Sequence, residues 1–155
     1  MNAWVAAGAV IAAASDFRVA STTAKIAFLF TKVGLTGADM GAGWLLPRLV
    51  GEAHARRLLL LGDFISAAEA HSIGLYTSVF EPEPAAAEAK ALAARLARGP
   101  SFALGVTKQA LNREAALDLR TALDNEAELQ AICMQSPNFI EAHRAFREKR
   151  EPKFE

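Results

Sequence analysis

Glycine sets where this chain can bend, and it does so unevenly. Through residues 1–80 glycines and turn residues cut the sequence into short pieces, whereas residues 81–155 read as helix almost throughout. Pieces that short exclude long strands and a long helical bundle, so the first part must mix brief β-like runs with short helices. Between the two parts stands Glu81-Pro82-Glu83-Pro84, which reads as a stiff, solvated connector. The expectation is an α/β chain organised as 1–80 and 81–155.

Within the first part, Ala6 to Ala14 reads as a short helix, because alanine dominates and no polar face interrupts it. Asp16 to Ala20 alternates polar and apolar and reads as a strand, with a second extended piece over Ala24 to Phe28. Helices are expected over Met40 to Val50, ended by Gly51, and over Glu52 to Leu61, closed by Gly62. A third begins at Ser66, whose Glu69 three residues on completes a capping box, and Gly74 closes it. Leu75 to Phe80, rich in β-branched and aromatic residues, reads as the best strand. The second part offers four helices. Pro84 opens one, Ser101 caps the next, Ala116 to Met134 forms the third, and Ser136-Pro137 starts the last.

Charge and cysteine narrow the function. Lys+Arg and Asp+Glu are balanced at 17 each, so no field draws nucleic acid or anionic membranes. No apolar run approaches the ~18 residues of a spanning helix, and the first ten residues lack a basic n-region. Cys133 stands alone, which suits a reducing cytoplasm, and His54, His71 and His143 lack ligand spacing, so no metal site is expected. These histidines read as solvated face. Asp16 and Arg18 read as structural polar contacts.

Val5 to Ser15 is small and apolar, and Asp16 is the first ionisable group after it. Such a run cannot do chemistry with side chains. It has two readings: a tightly packed helix start, or a row of main-chain N–H groups offered to a developing oxyanion. Asp39 is equally two-sided. It can serve as an N-cap worth ~1 kcal/mol, or as a carboxylate that moves a proton.

Several phrases, in order along the chain, resemble the crotonase (enoyl-CoA hydratase/isomerase) superfamily. They are Ser15-Asp16-Phe17-Arg18-Val19-Ala20, then Leu46-Pro47-Arg48-Leu49-Val50-Gly51, then Gly62-Asp63-Phe64-Ile65-Ser66-Ala67-Ala68-Glu69-Ala70, and finally Glu148-Lys149-Arg150-Glu151-Pro152-Lys153-Phe154. The resemblance implies the C-terminal part of a spiral of ββα units, followed by a helical oligomerisation region. Family members usually carry about a hundred residues more ahead of this pattern, holding one oxyanion donor and much of the CoA pocket. A truncated product or an unusual half-core is therefore expected, and an isolated half-spiral would expose sheet edges and an apolar face.

What the resemblance implies about chemistry is specific. Ala7 or Gly8 matches an oxyanion-hole donor. Val10 and Phe30 occupy the positions of the two glutamates that hydratases use, so two-glutamate hydration is excluded. Ala38-Asp39-Met40-Gly41 is similar to a phrase of dienoyl-CoA isomerases in which the aspartate handles a substrate proton. The match carries one extra position here. Phe146 and Lys149 match residues that approach the CoA adenine and phosphates, though a core anchor and a solvated lysine read equally well. Trp44 replaces a polar residue and could narrow an acyl pocket. A CoA thioester would be the substrate, with no separate cofactor, and the assembly a homo-trimer or dimer of trimers in the cytoplasm. The rival from another class is a non-catalytic fragment or assembly module. A serine protease is excluded for want of a Ser–His pairing near the oxyanion run.

Overall fold

The computed structural model describes residues 3–155, with side chains from Val5 onward. The chain forms two compact units, Met1–Lys90 and Ala91–Glu155.

In the first unit, strand β1 (Ala3–Val5) leads into helix α1 (Ala7–Ala14), and strands β2 (Val19–Ser21) and β3 (Lys25–Ala27) follow. A single 3-10 turn over Leu29–Val33 precedes helix α2 (Ala42–Leu61). Strand β4 (Ile65–Ser66), helix α3 (Ala67–Ser72) and strand β5 (Ser78–Phe80) complete it. One sheet runs β1-β3-β4, with β1 parallel to β3 (residue 4 opposite Ile26) and β4 antiparallel (Ile65 opposite Ile26). A second, two-stranded sheet pairs β2 with β5 in parallel, Ala20 opposite Val79.

The core lies between these layers. Ile26, Phe28, Leu46 and Leu75 have no exposed surface, and Val10 and Leu58 are nearly as buried. Alanine makes the closest contacts: Ala9 and Ala13 of α1, Ala42 and Ala55 of α2, and Ala67 and Ala70 of α3 are all buried. Their missing side-chain bulk lets helix backbones approach the sheet.

Local signals place several ends correctly. Gly51 adopts φ 76°, ψ 160° inside α2, so the two expected helices meet there at a kink. Gly62 ends α2 in the left-handed region. The Ser66 hydroxyl accepts the Glu69 N–H at 3.1 Å, and Ser136 accepts the Phe139 N–H at 3.3 Å.

Several expectations need correction. The strand expected over Leu75 to Phe80 is only β5. The Leu75 and Tyr76 N–H groups both bond the Ala70 carbonyl, at 2.8 and 3.0 Å, and Thr77 N–H bonds the Arg18 carbonyl at 2.9 Å. No ladder remains open to residues 75–77. The strand expected over Asp16 to Ala20 shifts to β2, because Arg18 is occupied by that same Thr77 contact; its guanidinium bonds the carbonyls of Leu75, Ser15 and Ala13. Burial lowers the Arg18 pKa, against the raising effect of Asp16. The proline connector is instead the first turn of helix α4 (Pro82–Ala97), where a missing N–H costs no intrahelical bond. Helix α5 (Ser101–Glu114) is preceded by Pro100 at the cap position, so Ser101 is its first residue rather than its cap.

Helix α6 (Leu119–Met134) starts later than expected, at an Asp118 cap whose carboxylate accepts both the N–H and the hydroxyl of Thr121, at 3.1 and 2.7 Å. Those bonds hold the Asp118 carboxyl below its ordinary value. Asn125 of α6 donates to Glu114 of α5 at 3.0 Å. Helix α7 (Pro137–Glu148) carries a buried face with Glu141 and Ala145, and residues 149–155 follow it.

Candidate active site

The entry into α1 is strained for a reason. Ala6 N–H bonds the Ala27 carbonyl at 3.1 Å, extending the β1–β3 pairing by one rung, and the helix must begin at the next residue. Ala6 makes that turn at φ 47°, ψ −119°, a conformation costing a non-glycine residue roughly 1–3 kcal/mol. The first helical bond runs from Val10 N–H to the Ala6 carbonyl at 3.2 Å. The N–H groups of Ala7, Gly8 and Ala9 precede it and have no intrahelical acceptor. Ala9 is buried, while Ala7 is exposed and Gly8 partly so. Among the described residues no acceptor meets the Ala7 and Gly8 N–H groups, the two singled out in the sequence, which lie at the positive end of the helix dipole.

Two positions expected to lack proton chemistry are apolar and closed. Val10 and Phe30 are 2% and 7% exposed and belong to the hydrophobic core.

Asp39 lies on the exposed loop before α2. It does not cap that helix with its side chain: Gly41 holds the cap position without any side-chain bond, and Asp39 contributes only its carbonyl, which accepts the Ala42 N–H at 2.8 Å. Met40 and Gly41 both take positive φ, 50° and 92°, so the helix starts only at Ala42, three residues beyond Asp39. Among the described residues nothing hydrogen-bonds the Asp39 carboxylate. The capping reading is therefore corrected. The loop is seated by Gly37, where an added Cβ would fall 2.5 Å from the Leu59 carbonyl oxygen of α2. Beside it opens a mostly apolar groove of 510 Å³ lined by Gly37, Ala38, Gly43, Pro47, Ala55 and Leu59 among others. The Thr31 hydroxyl at this groove is buried and has no partner among the described residues. Helix α1, which carries Ala7 and Gly8, packs against α2.

Trp44 is half exposed on α2, with the Arg48 guanidinium 4.0 Å above its ring. His71 Nδ1 lies 3.0 Å from the Tyr76 carbonyl. Among the described residues no three His, Cys, Asp or Glu side chains stand close enough to hold a metal ion, and no helix is long and apolar enough to cross a membrane.

The second unit holds the other two expected residues. Phe146 is 82% exposed on α7, and Lys149 caps that helix in the left-handed region, φ 54°, ψ 42°. Sequence reasoning missed Glu141, the most heavily bonded carboxylate in the unit. It accepts from Arg144, Arg150 and the Lys153 N–H. Its one sequence signal is a charge set on the buried side of an amphipathic helix. The Arg150 fork, then the Lys153 N–H, then Arg144 hold the Glu141 carboxyl far below the usual carboxylate range.

A folded-state value below the unfolded one, about 4.3, gives stability that is complete above the unfolded value and lost only as pH falls through the folded one. Acid release of residues 150–155 from α7 is accordingly expected only in strong acid. Following the Glu155 and Lys153 amide resonances against pH checks this, and release near pH ~4 would contradict it.

The chain thus joins an α/β unit to a helical one. The family profile described as enoyl-CoA hydratase/isomerase matches residues 3–155, and this chain belongs to that family, within the crotonase superfamily. The 1,2-epoxyphenylacetyl-CoA isomerase of Escherichia coli (strain K12) is 41% identical over 148 residues, 96% of this chain and 56% of that protein. A short-chain-enoyl-CoA hydratase of Clostridioides difficile is 33% identical over 147 residues, covering 95% of this chain and 94% of that one. A crystal structure from Streptomyces coelicolor A3(2), named for an enoyl-CoA hydratase, superposes with a TM-score of 0.96 at 48% identity, over 99% of this chain and 56% of that one. The fold is therefore the α/β crotonase fold, and the chain spans about 56% of the length of the first of these relatives.

Proposed function

We propose that this chain processes an acyl-CoA thioester by the hydratase/isomerase chemistry of its family, with the Ala7 and Gly8 amides receiving the enolate oxygen. The observation that carries the reading is the α1 entry, where the turn at Ala6 leaves the Ala7 and Gly8 N–H groups without acceptors among the described residues. Fixed donors of this kind contribute roughly 3–4 kcal/mol each to oxyanion stabilisation in other enzymes.

Proton chemistry falls to Asp39. Activating a water and protonating carbon takes two acids in the family's hydratases, and Val10 and Phe30 fill both places here. A single carboxylate suffices to take a proton from one carbon and return it to another, so double-bond migration is favoured over hydration. The apolar groove beside the Asp39 loop suits an acyl chain. In the other unit, the open ring of Phe146 suits an adenine and the Lys149 ammonium a phosphate. The lone thiol of Cys133 fits a cytoplasmic setting.

The full chain is offered a 3-enoyl-CoA and, separately, crotonyl-CoA. Migration of the first without hydration of the second supports the reading. Hydration of crotonyl-CoA overturns the single-carboxylate mechanism.

A second reading, an assembly module without catalysis, is favoured by one observation. Helices α4, α5 and α6 contain no buried residue, and Leu111 and Leu119 are 68% and 75% exposed. Apolar surface on that scale calls for a covering partner. Light scattering on the chain distinguishes the cases: a homo-trimer or dimer of trimers that turns over neither substrate supports the module, and a well-behaved monomer sinks it.

A further inference from the structure

A lysine does not settle in the left-handed region by preference, yet Lys149 is there at the end of α7. Its N–H bonds the Phe146 carbonyl at 3.2 Å and the Arg150 N–H bonds the Ala145 carbonyl at 3.1 Å, closing the helix in the pattern usually built with glycine. The residues that follow run back along α7 as a strap. Arg150 sends two guanidinium donors to Glu141, at 2.6 and 3.2 Å, and a third to Glu148 at 2.6 Å. The Lys153 N–H reaches Glu141 at 3.0 Å. Asn138 and Glu155 exchange two further bonds, at 3.1 and 3.0 Å. Arg144 donates to Glu141 from within the helix at 3.1 Å. Glu141 is 9% exposed, so its donors come from the protein rather than from water.

We infer that Glu141 is a positioning residue for ligand recognition at the end of α7. Its carboxylate clamps the strap, and the clamped strap holds Lys149 left-handed with the exposed Phe146 ring three residues before it. The inference rests on the reading of Phe146 and Lys149 as contacts for the nucleotide end of CoA. Glu141 itself touches no ligand. Its contribution is preorganisation: with the clamp intact, binding need not first order the backbone that carries the cation. A forked arginine–carboxylate pair is the interaction suited to this, because it fixes direction as well as distance.

Titration calorimetry with CoA on the full chain tests the inference through a double-mutant cycle of Glu141→Gln and Lys149→Met. Each single change is expected to weaken CoA binding by about tenfold, and the double variant to be no weaker than Lys149→Met alone. Additive effects would assign Glu141 a general structural role and overturn the inference, as would parental affinity in Glu141→Gln. Arg150→Lys, which keeps the charge and loses the fork, is expected to reproduce Glu141→Gln. It carries the test if the Gln variant does not fold, and parental affinity in it overturns the clamp. If Lys149→Met and Phe146→Ala both leave CoA binding unchanged, or the parent chain binds none, the reading of α7 as the nucleotide end fails, and the inference falls with it.

Discussion

Exchanging Asp39 for asparagine is expected to slow migration of a 3-enoyl-CoA double bond by roughly 10²–10⁴-fold, the range for removing a positioned acid–base group. The fold should not respond. Asp39 is exposed, its side chain caps no helix, and among the described residues its carboxylate has no hydrogen-bond partner to lose. Asparagine keeps the shape and still tolerates a loop leading into left-handed backbone. The loss should therefore appear in kcat with KM nearly unchanged, the pattern of an interaction made in the transition state. Melting curves of the two proteins should coincide. An Asp39→Asn protein that isomerises at the parental rate would remove Asp39 from the mechanism.

Proline at Gly8 tests the backbone donors, which no side-chain truncation can reach. Gly8 is the second residue of α1, ahead of the first helical hydrogen bond at Val10, so its N–H is absent from the helix ladder. Proline in a first turn gives up only an unbonded donor, as Pro82 does at the start of α4. Turnover is expected to fall by roughly 10²–10³-fold, the cost of one oxyanion donor. Circular dichroism and melting temperature should show the helix retained. Turnover unchanged in a folded Gly8→Pro chain would reduce the small-residue run to tight packing.

These two sites were legible to different degrees. The helix entry at Ala7 and Gly8 could be read because residue size and helix starts are local properties, and the structure adds how that entry is made. The strained Ala6 ends a strand rung and starts a helix with nothing between. Asp39 was read as either a cap or a base. Only the positive φ of Met40 and Gly41 shows that the helix begins too late for its side chain to cap. Strands β1 and β4, of three and two residues, carry too few positions for alternation to register. Leu75 and Tyr76 have strand chemistry, but the Ala70 carbonyl claims both amides.

By itself the sequence determined the punctuation of this protein: the Ser66 and Ser136 caps, the breaks at Gly51 and Gly62, the helical second part and the family phrases. Each depends on residues within about one helical turn of one another. Tertiary structure alone decided what depends on distant partners. Arg18 finds an acceptor at Leu75, 57 residues on, and Glu141 finds donors at Arg150 and Lys153, beyond the end of its own helix. A buried charge takes its role from the groups that replace its water, and those groups are chosen by how the chain turns back on itself.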